Sequence, residues 1–203
     1  MANKTQVLRL DASASGDNSN SRKLGNVVAQ QLENLYPVSE IRQRDLNQEL
    51  SFIDASWIAA NFTAREERDE LQNQRLAFSD QLIAELQWAD HIILTTPMYN
   101  FGIPATLKAW IDLVCRAGVT FRYGANGPEG LLKNKRIDIV ITTGGAPLES
   151  PVDFVSGYLK QVFAFIGIEE VNIIGADQMN VNADDSYARA LTQIEQSYPA
   201  VAA

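Results

Sequence analysis

The sequence predicts an α/β fold in which a five-stranded parallel sheet carries helices on both faces. Short apolar runs typical of strands alternate along the chain with longer stripes of helical spacing. The run Ile92-Ile93-Leu94 is continuously apolar, as expected for a parallel strand buried on both faces. Because right-handed crossovers place helices on both sides of such a sheet, we expect the strand order 2-1-3-4-5. We expect a single domain over residues 1–203, because a chain of this length, of which 46% of the residues are hydrophobic, can fill one core.

The first part of the chain contains two predicted strands and one predicted helix. Val7–Leu10 is a short apolar strand, and the amphipathic stripe over residues 24–35 predicts a helix. Ile41–Leu46 alternates in polarity, with Arg42 and Arg44 between less polar positions. This pattern is typical of a strand at the edge of a sheet, where one side is exposed.

Residues 47–63 are harder to assign than the segments around them. Phe52, Trp57 and Phe62 give this segment too much apolar surface for a disordered linker. We therefore expect a helical excursion that covers part of the core or contacts a second subunit. A stripe of helical spacing from Leu71 to Leu86 then predicts a long helix with solvated early turns.

The second half of the chain continues the alternation of strands and helices. One segment, residues 120–130, is rich in turn residues and is expected to form turns. The other predicted elements are a strand at Ile92–Leu94, a helix over Pro104–Arg116, a strand at Ile137–Ile141, a helical stripe from Val155 to Ile166, a strand at Val171–Ile174 and a helical stripe from Tyr187 to Ile194.

The composition excludes several classes of partner and site. The formal net charge of −8 argues against binding to a nucleic-acid backbone or to an anionic membrane. The single cysteine, Cys115, allows no internal disulfide, fits a reducing compartment and is expected to be a buried bystander. No metal cluster of Cys and His is expected. We find no secretory signal and no apolar run long enough to cross a bilayer, so we expect a cytoplasmic protein.

The loop after the first strand has the chemistry of a phosphate site. Residues 11–23 are mostly small and polar and open the first helix, so Ser13, Ser19 and Ser21 could surround a phosphate together with backbone N–H groups. No P-loop pattern is present, which disfavours a magnesium nucleotide and favours a lone phosphate such as that of a flavin mononucleotide. Alternatively, Ser19 or Ser21 only caps the helix, and Arg22 and Lys23 point to solvent.

The loops after the third and fourth strands could hold a flat ring. Residues 97–104 pass from a strand through an aromatic, amide-bearing loop into a helix, and Met98, Tyr99 and Phe101 offer apolar contacts. Thr142-Thr143-Gly144-Gly145 provides backbone that a ligand can approach closely, although a plain turn would also use such glycines. In the predicted strand order these loops and the serine loop gather at one edge of the sheet.

Several motifs together resemble the FMN-dependent NADH-azoreductases, over nearly the whole chain. The long aromatic-loop motif is the most specific, Asn-Gly-Pro-Glu-Gly supports it, and the serine and double-glycine motifs are weaker alone. The matching segments are Ser13, Ser19-Asn20-Ser21, Pro97-Met98-Tyr99-Asn100-Phe101-Gly102-Ile103-Pro104, Thr120-Phe121-Arg122-Tyr123 and Asn126-Gly127-Pro128-Glu129-Gly130. The resemblance implies a flavodoxin-like fold and a homodimer with one FMN per subunit and an active site bordered by both subunits.

The resemblance also implies a role for each candidate residue. Those implied to bind FMN are Ser13, Ser19, Asn20 and Ser21 at the phosphate, Pro97, Met98, Tyr99, Asn100 and Phe101 along the ring, and Thr142, Thr143, Gly144 and Gly145 at its pyrimidine edge. Tyr123, Phe163 and Phe165 could border the substrate, although Phe163 and Phe165 could equally be core residues of their helix. Relatives often have Ser-Arg where this chain has Thr142-Thr143, and some have a histidine in place of Pro147, so nicotinamide or acceptor preference could differ.

The implied reaction is a ping-pong transfer of two electrons from NADH, or from NADPH, through FMN to a quinone or an aromatic azo compound. The flavin performs the redox chemistry, so no protein acid or base is required. His91 lies at the start of the third strand, away from the predicted site, and is not expected to be catalytic. The alternative is a flavodoxin-type carrier that passes single electrons to a protein partner, which the net acidity fits. A quinone-responsive regulator that has kept the fold without turnover is a third possibility.

Overall fold

The structure, a computed structural model, describes residues 5–36, 40–48 and 50–199. The prediction of one domain over 1–203 extends beyond these residues at both ends, and residue 49 of the 47–63 segment also lies outside them. The strands are β1 (Gln6–Asp11), β2 (Glu40–Asp45), β3 (His91–Pro97), β4 (Phe121–Gly124), β5 (Gly127–Gly130), β6 (Arg136–Thr142) and β7 (Glu170–Ala176). The helices are α1 (Asn20–Leu35), α2 (Ala55–Phe62), α3 (Glu70–Trp88), α4 (Ala105–Val114), α5 (Ser156–Ile166) and α6 (Ala183–Ser197).

The main sheet has five parallel strands in the order β2-β1-β3-β6-β7. In chain order these are the first to fifth strands of the sheet, so the predicted order 2-1-3-4-5 is confirmed. Strand β2 lies at the edge, as its alternating polarity predicts. Strand β3 is buried along its whole length, which explains its uninterrupted apolar run.

Helices cover both faces of this sheet, and each face has its own core. On one face, α1 and α6 pack through residues such as Leu24 and Ile194. On the other face, α2 to α5 pack around Trp110 and Phe163. The expected excursion over 47–63 contains α2, whose Trp57 is buried in this second core. Among the helices of the described residues, none is long and apolar enough to cross a bilayer.

The turn-rich segment 120–130 forms a two-stranded antiparallel hairpin, β4 and β5, which the sequence did not predict. The hairpin packs on the end of α5, where a side chain on Gly130 would overlap the backbone of Gly167. Gly167 itself ends α5 in a left-handed conformation, with φ of 107°. The hairpin is therefore fixed by a close backbone approach to the body of the protein.

Candidate active site

The serine loop connects β1 to α1 and forms the amino-terminal cap of that helix. Ser19 Oγ accepts a hydrogen bond from the backbone N–H of Arg22 at 3.3 Å and lies 3.0 Å from Ser21 Oγ. The backbone N–H groups of Asn20 and Ser21 belong to the first helical turn and make no hydrogen bond within the described residues. Unused N–H groups at a helix start form a natural site for an anion.

The aromatic loop after β3 is a tight turn in an uncommon backbone conformation. Tyr99 and Gly102 exchange two backbone hydrogen bonds, at 2.9 and 3.0 Å, around Asn100 and Phe101. Both central residues are left-handed, with φ of 49° for Asn100 and 66° for Phe101. Such a conformation costs about 1–2 kcal/mol for a residue with a side chain and clusters at functional sites. The turn also leaves both central N–H groups without a hydrogen bond in the described part of the chain.

The double-glycine loop after β6 is attached to both neighbouring loops. Its Thr142 carbonyl accepts from the backbone N–H of Met98 at 2.8 Å, which links it to the aromatic loop. Thr143 bonds the carbonyl of Ala146 through its hydroxyl, and the same hydroxyl accepts from the N–H of Gln178 at 3.0 Å. The loop between β7 and α6 is thereby drawn against the site.

Two adjoining cavities occupy the space between these loops. The first, of about 400 Å³, is lined by Ser13, Ser15, Asn18, Ser19, Asn20, Pro97, Met98, Tyr99, Thr142, Thr143, Gly144, Met179 and Asn180. The second, of about 500 Å³, is lined by Met98, Asn100, Phe101, Thr143, Gly144, Gly145, Ala146, Pro147 and Val152. We call them the phosphate cavity and the ring cavity. Three residues, Met98, Thr143 and Gly144, line both, so one elongated ligand could span the two.

Twelve of the thirteen residues expected to bind FMN line these cavities. The exception is Ser21, which is fully buried and contacts Ser19 instead of lining the cavity with its side chain. The two cavities therefore bring together loops that are separated by up to 132 positions along the chain, from Ser13 to Gly145.

The three aromatic residues expected near the substrate do not line either cavity. Phe163 is 0% exposed and packs against Trp110, with ring centroids 6.4 Å apart, so we place it in the core and withdraw it from the substrate site. Phe165 is half-buried against Phe121 of the hairpin. Tyr123 projects from the hairpin with 75% of its surface exposed.

Several lining residues were missed by the sequence analysis. Met179 and Asn180 come from the loop after β7, and the backbone N–H of Asn180 donates to the Gly144 carbonyl at 2.8 Å. Val152 belongs to the loop after Pro147, which Asp153 stabilises by accepting backbone hydrogen bonds from Glu149 and Ser156 at 2.9 Å. Burial tends to raise the pKa of Asp153, but these hydrogen bonds outweigh it and hold the pKa below its usual value.

The remaining titratable residues of interest lie away from the cavities. His91, at the opposite end of β3, bonds the buried carboxylate of Asp138, which Tyr198 also contacts. Burial raises the pKa of the Tyr198 phenol, and the three buried side chains form a hydrogen-bonded network. Cys115 is half-buried, where full burial was expected, and desolvation raises the pKa of its thiol to about 12. In the described ranges, no group of three or more His, Cys, Asp or Glu side chains could hold a metal ion.

Comparison with known proteins places the chain in a family. A family model described as having a flavodoxin-like fold matches residues 5–198. The chain is 47% identical over 199 residues to FMN-dependent NADH:quinone oxidoreductase 1 of Hahella chejuensis, covering 98% of each protein. The chain belongs to the FMN-dependent NADH:quinone oxidoreductase family. A second member, from Jannaschia sp., is 44% identical and covers 94% of this chain and 97% of its own.

Structural similarity agrees with membership of the quinone oxidoreductase family. A crystal structure of azoreductase from Bacillus anthracis matches with a TM-score of 0.84 at 26% identity, covering 96% of this chain and 97% of that one. The flavodoxin-like fold and the resemblance based on the serine, aromatic and Asn-Gly-Pro-Glu-Gly motifs are both confirmed.

Proposed function

We propose that this protein is an FMN-dependent oxidoreductase that transfers two electrons from NADH to quinones and to aromatic azo compounds by a ping-pong mechanism. The observation that supports it most is the pair of adjoining cavities, one lined by polar donors and the other by flat and apolar groups. The family relatives are named for FMN, NADH and quinone. The structural relative is named an azoreductase.

The phosphate cavity fits the phosphate end of FMN. Ser13 and Ser19 provide hydroxyl groups, and the N–H groups of Asn20 and Ser21 add backbone donors at the positive end of α1. No lysine or arginine lines this cavity among the described residues. The chain would therefore bind the phosphate with neutral donors and the helix dipole.

The ring cavity fits the isoalloxazine end of FMN. Met98 at the junction and Phe101 in the ring cavity offer apolar surface, while the free N–H groups of Asn100 and Phe101 can donate to polar ring atoms. Gly145 has nothing within 4 Å of the position that a Cβ would occupy, so its backbone is open to a close ligand. When bound, FMN supplies the redox chemistry, accepting a hydride from NADH and returning two electrons to the acceptor.

The chain itself favours a ping-pong order of substrates. The ring cavity is lined in part by Phe101, Pro147 and Val152, which suit a planar substrate stacked on a ring. One such space cannot hold a nicotinamide and a quinone together, so the oxidised nucleotide must leave before the acceptor enters. Backbone N–H groups around the ring would stabilise negative charge there without a protein acid or base.

We further propose a homodimer in which the partner completes the substrate space. Large apolar side chains are exposed on the surface of the described residues, including Phe62 at 80%, Tyr123 at 75% and Phe154 at 64%. Exposed apolar surface of this kind marks interaction sites. Light scattering on the purified protein would report twice the monomer mass of 22.4 kDa. A monomer at micromolar concentration would contradict this part of the proposal.

The function is tested by steady-state turnover of the protein reconstituted with FMN. We expect NADH oxidation with benzoquinone at least as fast as with methyl red, because either planar acceptor can stack in the ring cavity. Complete azo cleavage should consume two NADH for each dye, since it takes four electrons. The apoprotein is the matched control and should be inactive. Turnover of the azo compound alone would contradict the expectation that benzoquinone reacts at least as fast as methyl red. FMN binding without any NADH oxidation would favour the electron carrier instead.

A further inference from the structure

A polar network lies directly behind the serine loop and converges on one backbone atom, the carbonyl oxygen of Ser13. Arg22 Nη2 donates to this oxygen at 2.8 Å, and Asn47 Nδ2 donates to it at 2.9 Å. Both donors also bond the same carboxylate oxygen, Asp45 Oδ1, at 2.8 and 2.9 Å. The backbone N–H of Asn47 adds a third bond to that oxygen at 3.0 Å.

The network joins three separate elements. Ser13 follows β1, Arg22 lies in the first turn of α1, and Asp45 ends the edge strand β2. Arg22 is only 9% exposed, so the alternative that it points to solvent is wrong. Its own carbonyl is held by Arg9 Nη2 at 3.0 Å, which fixes the helix start from the sheet side. The loop that lines the phosphate cavity is thus held from behind by the edge of the sheet.

The charges within the network are balanced. The network is therefore suited to positioning the serine loop and not to attracting the phosphate by its charge. The Arg22 guanidinium pairs with the Asp45 carboxylate, so the pair carries no net charge toward the cavity. Partial burial tends to raise the pKa of Asp45, but hydrogen bonds from Asn47 and Arg22 outweigh it and hold the pKa below its usual value. The carboxylate therefore stays ionised, and the pair stays closed, at neutral pH.

We propose that Arg22, Asp45 and Asn47 are positioning residues that fix the serine loop in its phosphate-binding form and so make the site select FMN over unphosphorylated riboflavin. This inference rests on the proposed function, since it assumes that the two cavities bind FMN. The residues act through Ser13, because none of the three lines either cavity. A rigid loop does not have to be ordered when it binds the phosphate, so binding costs less conformational entropy. This gain in binding free energy applies only to a ligand that carries a phosphate.

Asn47→Ala is the sharpest test, because it changes no charge and Asn47 is exposed, so the chain should fold normally. Flavin fluorescence titration of the apoprotein should show FMN binding weakened about three- to tenfold, the range for one lost hydrogen bond, and riboflavin binding unchanged. Hydrogen exchange in residues 12–16 of the apoprotein should become faster. Glu40→Gln is the control for a change on β2 outside the network, since it breaks the exposed pair between Glu40 and Arg42 and should alter the binding of neither flavin.

Asp45→Ala separates positioning from attraction. If the network positions the loop, this change should weaken FMN binding, whereas freeing the Arg22 charge by itself would tighten it. Equal weakening of FMN and riboflavin by Asn47→Ala, no weakening of FMN, or tighter FMN binding by Asp45→Ala would each overturn the inference. A wild-type apoprotein that binds neither flavin would instead overturn the proposed function, and the inference with it.

Discussion

Gly144 and Asn180 are in contact across the site, although they lie on different loops. A Cβ added to Gly144 would lie 2.7 Å from Nδ2 of Asn180, and the backbone N–H of Asn180 donates to the Gly144 carbonyl at 2.8 Å. Asn180 therefore occupies the space that any larger residue at position 144 would need. This contact makes the loop after β7 a part of the candidate site.

The two adjacent glycines should respond differently to the same substitution. Gly144→Ala displaces the end of the exposed Asn180 side chain and should lower the free energy of unfolding of the apoprotein by up to about 1 kcal/mol, since that side chain can move into solvent. A Cβ added to Gly145 would have no protein atom within 4 Å, so Gly145→Ala should change the free energy of unfolding by less than about 0.5 kcal/mol. Both changes should weaken FMN binding, Gly145→Ala because its methyl group enters the ring cavity. Urea unfolding and flavin titration measure the two effects. Unaltered FMN affinity in Gly145→Ala would place the ring elsewhere.

The left-handed turn at Asn100 gives a second prediction. Asn100→Ala should destabilise the protein by about 1 kcal/mol, because alanine tolerates the φ of 49° less well than asparagine. The distorted turn should then weaken flavin retention or slow reduction by NADH. Asn100→Gly is the control, since glycine adopts this φ freely and preserves the turn. Equal loss of flavin in both variants would assign the effect to the side-chain amide, and no loss in either would remove the residue from the site.

Burial separates two of the aromatic residues that the sequence placed together near the substrate. Phe163→Ala empties part of the core and should lower the free energy of unfolding by about 3–5 kcal/mol. Tyr123→Ala removes an exposed ring and should change it by less than about 0.5 kcal/mol. If a partner subunit brings Tyr123 to the substrate space, its removal should raise KM for the quinone. An unchanged KM would leave Tyr123 outside that space.

The thiol of Cys115 should be inert in the folded protein. Burial raises its pKa from 9.0 to about 12, so the thiolate fraction near pH 8 falls about a thousandfold. Alkylation by iodoacetamide should be slower by about that factor in the native protein than after unfolding. Below pH 12, the alkylation rate of the native protein should rise about tenfold for each unit by which the pH is raised, since only the thiolate reacts. Rapid native labelling at pH 8 would show that Cys115 is accessible and ionised.

The sheet and the main loops could be predicted because they depend on local patterns. The continuous apolar run at β3 and the alternation at β2 report how each strand is covered, and strand order then determines which loops meet. Burial of Phe163 could not be read in this way. Its helix carries several apolar residues, and only packing against Trp110 decides which of them face the core.

Other parts of the site depend on contacts between distant residues. Arg22 has the appearance of a solvated charge in the sequence, but its carboxylate partner Asp45 lies 23 positions away. The hairpin β4–β5 is made of short strands rich in glycine, so its pairing depends on the approach of Gly130 to Gly167. Asn180 belongs to a loop without a recognisable motif. In the sequence, only Gly144 hints at this contact, because its missing side chain leaves room for a neighbouring residue.

The proposed function requires that three strand-end loops form one flavin site, and hydrogen exchange of the apoprotein with and without FMN shows whether they do. We predict slower exchange on FMN addition in all three loops together, at residues 13–21, 97–102 and 142–147, with one FMN bound per chain. Exchange at the opposite end of the sheet, around His91 and Asp138, should change little. FMN binding that protects only one of the loops, or no binding at all, would contradict the account.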